Sequence, residues 1–159
     1  MQDSVRVPII VRVPPPLLYV ATFFAGIFLQ RFVALPIHST PVVATFHDIG
    51  IVLASLGVVL ALSCVAMFLF FRTTLAPFGA ASSLVTRGAY RFTRNPMYLS
   101  LTLVYLGAVG TLGQFWSLAL LPIPVAILNA LVIPFEEARM REIFAEEYSA
   151  YCARVRRWL

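Results

Sequence analysis

Long apolar stretches recur four times along the chain and predict four membrane-spanning helices, since a helix needs about 20 apolar residues to cross the hydrocarbon core. The predicted spans cover residues 17–35, 49–71, 97–112 and 115–133. Pro122 and Pro124 are expected to kink or thin the fourth span. The tight, uncharged turn TLGQFW, residues 111–116, predicts an antiparallel hairpin of the last two spans.

The polar segment that follows the fourth span has a helical pattern of its own. Apolar residues recur there at three- and four-residue steps, which is typical of an amphipathic helix over residues 135–157. This stripe consists of Met140, Phe144, Tyr148, Tyr151 and Val155. Such a helix lies in the membrane interface or folds back over the bundle. The predicted fold is therefore all-α, a single membrane domain over residues 1–159.

Composition and charge place the chain in a membrane. Only 12% of its residues are charged and its mean hydropathy is +0.89, whereas a soluble domain carries about 25% charged residues. The net charge of +5 does not indicate nucleic acid, because the 12 basic residues, all arginine, flank the apolar spans. All but Arg31 fall on one side of the predicted bundle. The positive-inside rule then puts both termini and the loop of residues 72–96 in the cytoplasm.

No metal site is expected from the sequence. Cys64 lies inside an apolar span and Cys152 in the polar tail, without any spacing typical of metal ligands or of a disulfide framework. His38 and His47 lie nine residues apart around a proline-containing loop. Haem ligation needs histidines that face each other within a bundle, so interfacial polar residues are the better interpretation.

Two polar clusters lie on the predicted cytoplasmic side, the loop of residues 72–98 and residues 134–142, and the densest polar chemistry is in the stretch 84–101. Each of their residues has an ordinary structural explanation. The arginines could be topology determinants, and Tyr90 and Tyr98 could lie at the headgroup level. Asn95 could cap the third helix, which Pro96 would begin.

The pair Glu136 and Glu137 also has such an explanation. Carboxylates suit the first turn of a helix, and Glu137 lies four residues before Arg141. The joint arrangement is less easily explained in this way. Two adjacent carboxylates lie at the membrane edge, on the side where eleven arginines gather.

Two motifs in these segments resemble one family. LVTRGAYRFTRNPMYLS is similar to the pattern Leu-Val-x-x-Gly-x-Tyr-x-x-x-Arg-His/Asn-Pro-x-Tyr of the isoprenylcysteine carboxyl methyltransferase and phospholipid methyltransferase superfamily. In that family a Glu-Glu pair and a Phe-Gly-x-x-Tyr-x-x-Tyr segment follow the last membrane helices. Here the corresponding segment is EEARMREIFAEEYSAYCARVRRWL. The resemblance covers about residues 73–159.

The resemblance implies an integral membrane enzyme that uses S-adenosylmethionine on a lipophilic acceptor, without the Gly-rich turn of a soluble Rossmann fold. Carried over position by position, it implies a cofactor pocket formed by Ser82, Ser83, Leu84, Val85, Tyr90, Asn95, Pro96, Met97, Tyr98 and Glu137. Three positions depart from the common pattern. Asn95 replaces a histidine of eukaryotic members, although bacterial members also have the asparagine form, and Ser100 and Ala145 replace glycines.

The chemistry of the cofactor suggests roles for three residues that we predict to be catalytic, Arg94, Glu136 and Glu137. An arginine suits the cofactor carboxylate. We expect Glu137 to hold the cofactor ammonium, and Glu136 to orient an arginine or to act as the base that an amine acceptor needs. Tyrosine rings suit adenine or the sulfonium cation.

The acceptor stays open at this point. Isoprenyl cysteine, phosphatidylethanolamine, a sterol, a quinone precursor and a small lipophilic xenobiotic all fit, and the sequence predicts no oligomeric state. The expected partners are membrane lipids and the acceptor, and the expected location is a bacterial inner membrane. Two alternatives are a non-catalytic membrane scaffold that keeps the family shape and a membrane reductase of related fold.

Overall fold

The computed structural model describes residues 9–33, 40–71 and 83–159, and its regular structure in these ranges is entirely helical. Ser82 of the predicted pocket lies outside the described residues, as do His38 and residues 72–82 of the predicted 72–96 loop, Arg72 included. The helices are α1 (Pro15–Phe32), α2 (Thr40–Phe70), α3 (Pro96–Leu112), α4 (Phe115–Leu120), α5 (Pro122–Ile127) and α6 (Ile133–Arg154), with 3₁₀ turns at Ile9–Arg12 and Gly88–Arg91 and a π-helical segment at Leu128–Val132.

Two helical runs are long and apolar enough to cross a membrane, Thr40–Phe70 and Phe115–Arg154. At 1.5 Å per residue, α2 is about 46 Å long and exceeds the hydrocarbon core of about 30 Å. It begins well before the predicted span at residue 49. By the same rise α1 and α3 are shorter, about 27 and 26 Å. Large apolar side chains on α1 and α2 point outward with 61–79% exposure, namely Phe24, Phe28, Phe32, Val59, Leu62, Leu69 and Phe70.

Helices α2 and α3 form the closest helix pair, through small residues on both. A Cβ atom added at Gly107 would lie 2.5 Å from the backbone nitrogen of Ala54, and one at Gly50 would lie 2.6 Å from that of Thr111. Small residues that let two backbones approach are typical of helix packing in membranes. The predicted hairpin of the last two spans is thus not the main pairing: α3 packs along α2, and α4 packs against α1.

The third helix begins at Pro96, as expected, and does not extend backwards, because Asn95 has a non-helical backbone with φ −126° and ψ 52°. The alternative of Asn95 as a side-chain cap is wrong. Asn95 makes no capping hydrogen bond; its amide instead donates to the carbonyl oxygen of Arg157 at 2.9 Å. Gly113 ends α3 with φ 64°, which gives the tight turn before α4.

The fourth apolar span is not a single helix. The α4 helix ends at Leu120 and α5 begins at Pro122, as prolines require. The π-helical segment then continues directly into α6, so no break separates the span from the tail helix. Helix α6 ends at Arg154, short of the predicted residue 157, and bends at Ala145, where φ is 38° and ψ −107°.

Candidate functional site

A cavity of about 540 Å³ lies where five parts of the chain meet: residues 11–16 at the start of α1, the second half of α2, residues 83–95, the start of α3, and α6 between Glu136 and Tyr151. Part of its lining is apolar, with Val65 and Phe68 of α2 and Leu101 of α3. The lining also includes arginines, glutamates and tyrosines. The cavity therefore combines apolar and charged side chains.

Most of the predicted site residues line this cavity. They are Ser83, Leu84, Val85, Tyr90, Arg94, Asn95, Met97, Tyr98, Glu136 and Glu137. The two sequence motifs, separated by the α3–α5 region, thus face one space. Pro96 is fully buried at the start of α3 and is not among the lining residues, so its part is to begin the helix that carries Met97 and Tyr98.

Glu137 is a buried anchor for three arginines. Its side chain is nearly inaccessible. Arg157 approaches it with two nitrogens, at 3.1 Å from Nε to Oε1 and 2.8 Å from Nη2 to Oε2. Arg94 lies at 3.3 Å and Arg141 at 3.5 Å. Burial by itself raises the pKa of Glu137, but the hydrogen bonds from Arg157 and the charges of the arginines outweigh it and lower that pKa. Glu137 is therefore ionised at neutral pH.

Glu136 has different surroundings, although it is the adjacent residue. Consecutive residues of a helix point about 100° apart. The hydroxyl of Tyr98 donates to Glu136 Oε1 at 2.6 Å, and among the described residues no arginine lies within ion-pair distance. Burial raises the pKa of Glu136 to about 7, and the Tyr98 hydrogen bond offsets only part of this. Glu136 therefore gains and loses a proton near neutral pH.

The charges of the site are unequal. Three guanidinium groups surround one carboxylate at Glu137, which leaves a formal excess of two positive charges. Arg94 also has a buried Nε without a hydrogen-bond partner among the described residues. Buried donors in proteins are nearly always paired. An unpaired guanidinium donor at a cavity wall is suited to an anionic ligand group.

Tyr90 and Tyr151 connect the loop of the first motif to α6. The Tyr151 hydroxyl donates to the carbonyl oxygen of Tyr90 at 2.7 Å, and the Tyr90 ring lies edge-on to Phe68 at 5.8 Å. Burial, followed by the nearby Cys64 and Tyr151, raises the pKa of Tyr90, so its phenol stays neutral. The ring of Tyr90 is thus a fixed, uncharged part of the cavity wall.

Several cavity residues were not predicted as site residues. The segment before α1 contributes Val11, Arg12 and Val13, and α2 contributes Val65 and Phe68. These lie in uniformly apolar or proline-rich sequence, where no spacing distinguishes them. Tyr148 and Tyr151 belong to the predicted apolar stripe of the tail helix, and together with Met140 they line the cavity. Arg157 was counted only as a topology determinant.

Comparison with models of protein families shows to which family the chain belongs. The family model for phospholipid methyltransferases matches residues 45–147, well over half of the 159 residues. The chain belongs to the phospholipid methyltransferase family. This confirms the resemblance seen in the two motifs. No significant match was found among curated proteins or among solved structures.

Membership of the phospholipid methyltransferase family implies methyl transfer as the reaction type and lipids as the class of substrate. It also agrees with a membrane location, which the two long apolar helices favour independently. The matched range includes Val65 and Phe68, residues 83–101, and the two glutamates. The segment before α1 and residues 148–159 lie outside it.

Proposed function

We propose that this chain is an integral membrane enzyme that transfers a methyl group from S-adenosylmethionine to a lipophilic acceptor at the cytoplasmic membrane face. The observation that carries the proposal is the cavity of about 540 Å³, in which the two motif segments meet. Family membership supports the reaction type. A cavity lined by both apolar and charged side chains suits a site where a water-soluble donor meets a lipid-soluble acceptor.

The residues of the cavity fit the charged groups of S-adenosylmethionine. The excess positive charge around Glu137 and the unpaired Nε of Arg94 suit a carboxylate. Glu136, which lies in the cavity without an arginine partner among the described residues, suits an ammonium. Tyr90 and Tyr98 offer rings for adenine or a sulfonium. We thus assign the ammonium to Glu136 rather than to Glu137, whose oxygens are already engaged by arginines.

When bound, S-adenosylmethionine supplies an electrophilic methyl group on a sulfonium. The chain contributes position and exclusion of water, which are the main sources of catalysis in an in-line displacement. With an amine acceptor Glu136 would take the acceptor's proton instead, since its pKa of about 7 in the ligand-free protein matches the working pH. The two roles exclude each other at any one moment, because a bound ammonium lowers the pKa of the carboxylate. A carboxylate acceptor needs no base. Val65, Phe68 and Leu101 form the apolar part of the lining, along which an acceptor chain would lie.

The proposed orientation has four spans and both termini in the cytoplasm. The spans are α1, α2, α3 and the run from α4 to the π-helical segment. Eleven of the 12 arginines then fall on the cytoplasmic side, as the positive-inside rule requires. The exposed apolar side chains of α1 and α2 face lipid, where they need no protein partner. Labelling of single cysteines in intact cells tests this orientation, and an external position of Arg87 would contradict it.

The activity is tested by transfer of a radiolabelled methyl group. The purified chain in nanodiscs of total bacterial lipid is incubated with methyl-labelled S-adenosylmethionine, and the label is followed into the organic phase. We expect label in a lipid product, and a loss of at least tenfold in the rate with Glu136→Gln. Glu142→Gln, an exposed carboxylate on the same helix, is the control and should match the wild type. The absence of both labelled lipid and saturable cofactor binding would favour the scaffold alternative, and binding of a nicotinamide cofactor instead would favour the reductase.

A further inference from the structure

Residues 155–158 follow α6 as an irregular segment and close against the first motif. The backbone N–H of Arg94 donates to the carbonyl oxygen of Arg156 at 2.9 Å. The carbonyl oxygen of Arg157 accepts from the Asn95 side-chain amide at 2.9 Å and from the Thr93 hydroxyl at 3.0 Å. Three polar groups of the loop that precedes α3 are thus held by two consecutive carbonyls.

The side chains of the same segment hold the second motif and the π-helical segment. Arg157 binds Glu137 through two nitrogens. Arg157 and Trp158 also both donate to Oδ1 of Asn129, at 3.5 and 3.3 Å. The Trp158 ring packs against the buried cluster that contains Tyr98 and Leu128. One short stretch of chain therefore contacts both motifs that form the cavity.

We propose that residues 155–158 form a clasp that sets the distance between the Arg94–Asn95 edge of the cavity and Glu137, with Arg157 as its positioning residue. The proposal rests on the proposed function, since the ligand it positions for is S-adenosylmethionine. A site must be held within a fraction of an ångström to bind its ligand fully. Arginine suits this task because its planar fork fixes a carboxylate in two directions, which lysine does not.

The clasp differs from an ordinary stabilising contact in what it joins. Arg157 contacts Glu137 and Asn129 with its side chain and Asn95 with its backbone. Its removal frees Glu137 from its shortest partner, and Glu137 can then turn toward Arg141 on its own helix. The carbonyl oxygens that hold Arg94 and Asn95 remain, but the segment that carries them is then no longer tied to Glu137. The expected result is a cavity with the same residues and a less defined geometry.

Binding of S-adenosylmethionine to nanodisc-embedded protein, well below the melting temperature, tests the positioning role. Arg157→Gln should weaken binding about tenfold to a hundredfold, as expected for loss of a charged, bidentate contact. Arg157→Lys should recover part of this affinity. Arg154→Gln, an exposed arginine at the end of α6, is the charge-matched control and should bind like the wild type. Wild-type affinity in Arg157→Gln, even with a lowered melting temperature, would overturn the proposal.

Hydrogen exchange tests the clasp without any ligand. The amide of Arg94 is protected by its bond to Arg156, so deletion of residues 155–159 should raise its exchange rate at least tenfold while α6 keeps its protection. Unchanged exchange at residues 93–95 would show that the clasp does not hold this loop. Because this readout needs no cofactor, it decides the clasp even if the wild type binds no S-adenosylmethionine, an outcome that would contradict only the proposed function.

Discussion

Replacement of Glu136 by Gln should change how the stability of the protein depends on pH. Glu136 is half-buried, and its pKa is raised to about 7 from the ordinary 4.5. The folded state therefore holds this proton more tightly than the unfolded state does. The contribution to stability is complete below pH 4.5 and is lost as the pH rises through 7. The difference between the two pKa values corresponds to about 3 kcal/mol.

The glutamine of Glu136→Gln would keep the oxygen that accepts from Tyr98 and would carry no charge at any pH. The free energy of unfolding of this variant, relative to that of the wild type, should thus increase by about 3 kcal/mol between pH 4.5 and pH 8. For a chain of this length, the melting temperature of the variant relative to that of the wild type should rise by about 6–12 °C between pH 4.5 and pH 8. Glu137 does not affect this comparison. Because its pKa is lowered, the stability that its charge contributes is lost only below pH 4.5, and equally in the variant and the wild type.

The assay is thermal unfolding followed by circular dichroism, in one detergent, without cofactor, from pH 4.5 to 8.5. Glu142→Gln serves as control, since Glu142 is exposed on the same helix, and its curve should run parallel to that of the wild type. A Glu136→Gln curve that also runs parallel to the wild type would refute the reasoning. It would mean that Glu136 is solvated, and Glu136 would then lose its role as the proton acceptor.

Three further substitutions test other parts of the account. Ala145→Gly should stabilise the fold by about 1 kcal/mol in denaturant unfolding, because Ala145 has a positive φ that only glycine adopts without strain. The control is Ala138→Gly in the regular part of α6, which should destabilise the fold by about 0.5–1 kcal/mol. Gly107→Ala should cost about 1–3 kcal/mol, because its Cβ would meet the α2 backbone, and an unchanged midpoint would disprove this close approach. Tyr98→Phe removes a hydrogen bond that lowers the pKa of Glu136, so the pH profile of methyl transfer should shift upward; an unshifted profile would argue against Glu136 as the titrating group.

The class of fold and the composition of the cavity follow largely from the sequence. Apolar length predicts the helices, and the family match confirms the resemblance on which the site residues depend. Ten of the predicted residues line one cavity, while their functional roles stay predictions. The pairing of helices was not predictable in the same way. Small residues are scattered along both α2 and α3, and only the packed structure shows that Gly50 and Gly107 meet the opposite backbone.

The different roles of the two glutamates depend on contacts distant in sequence. Glu137 is held by Arg157, twenty positions away, and by Arg94, more than forty positions away. The sequence around the EE motif predicts only the pair of Glu137 with Arg141, four residues further along the helix; it does not predict the contacts of Glu137 with Arg94 and Arg157. Asn95 is a similar case. Its position before Pro96 is typical of a helix cap. Its side-chain amide instead donates a hydrogen bond to the carbonyl oxygen of Arg157, 62 residues further along the chain.

The central claim is that S-adenosylmethionine binds in the cavity between the two motifs. Ultraviolet crosslinking of the radiolabelled cofactor to the nanodisc-embedded chain tests it most directly, with the labelled peptides identified by mass spectrometry. The account predicts saturable labelling that S-adenosylhomocysteine abolishes, on peptides within residues 83–101 or 136–151. Labelling confined to other parts of the chain, or the absence of saturable labelling, would contradict it.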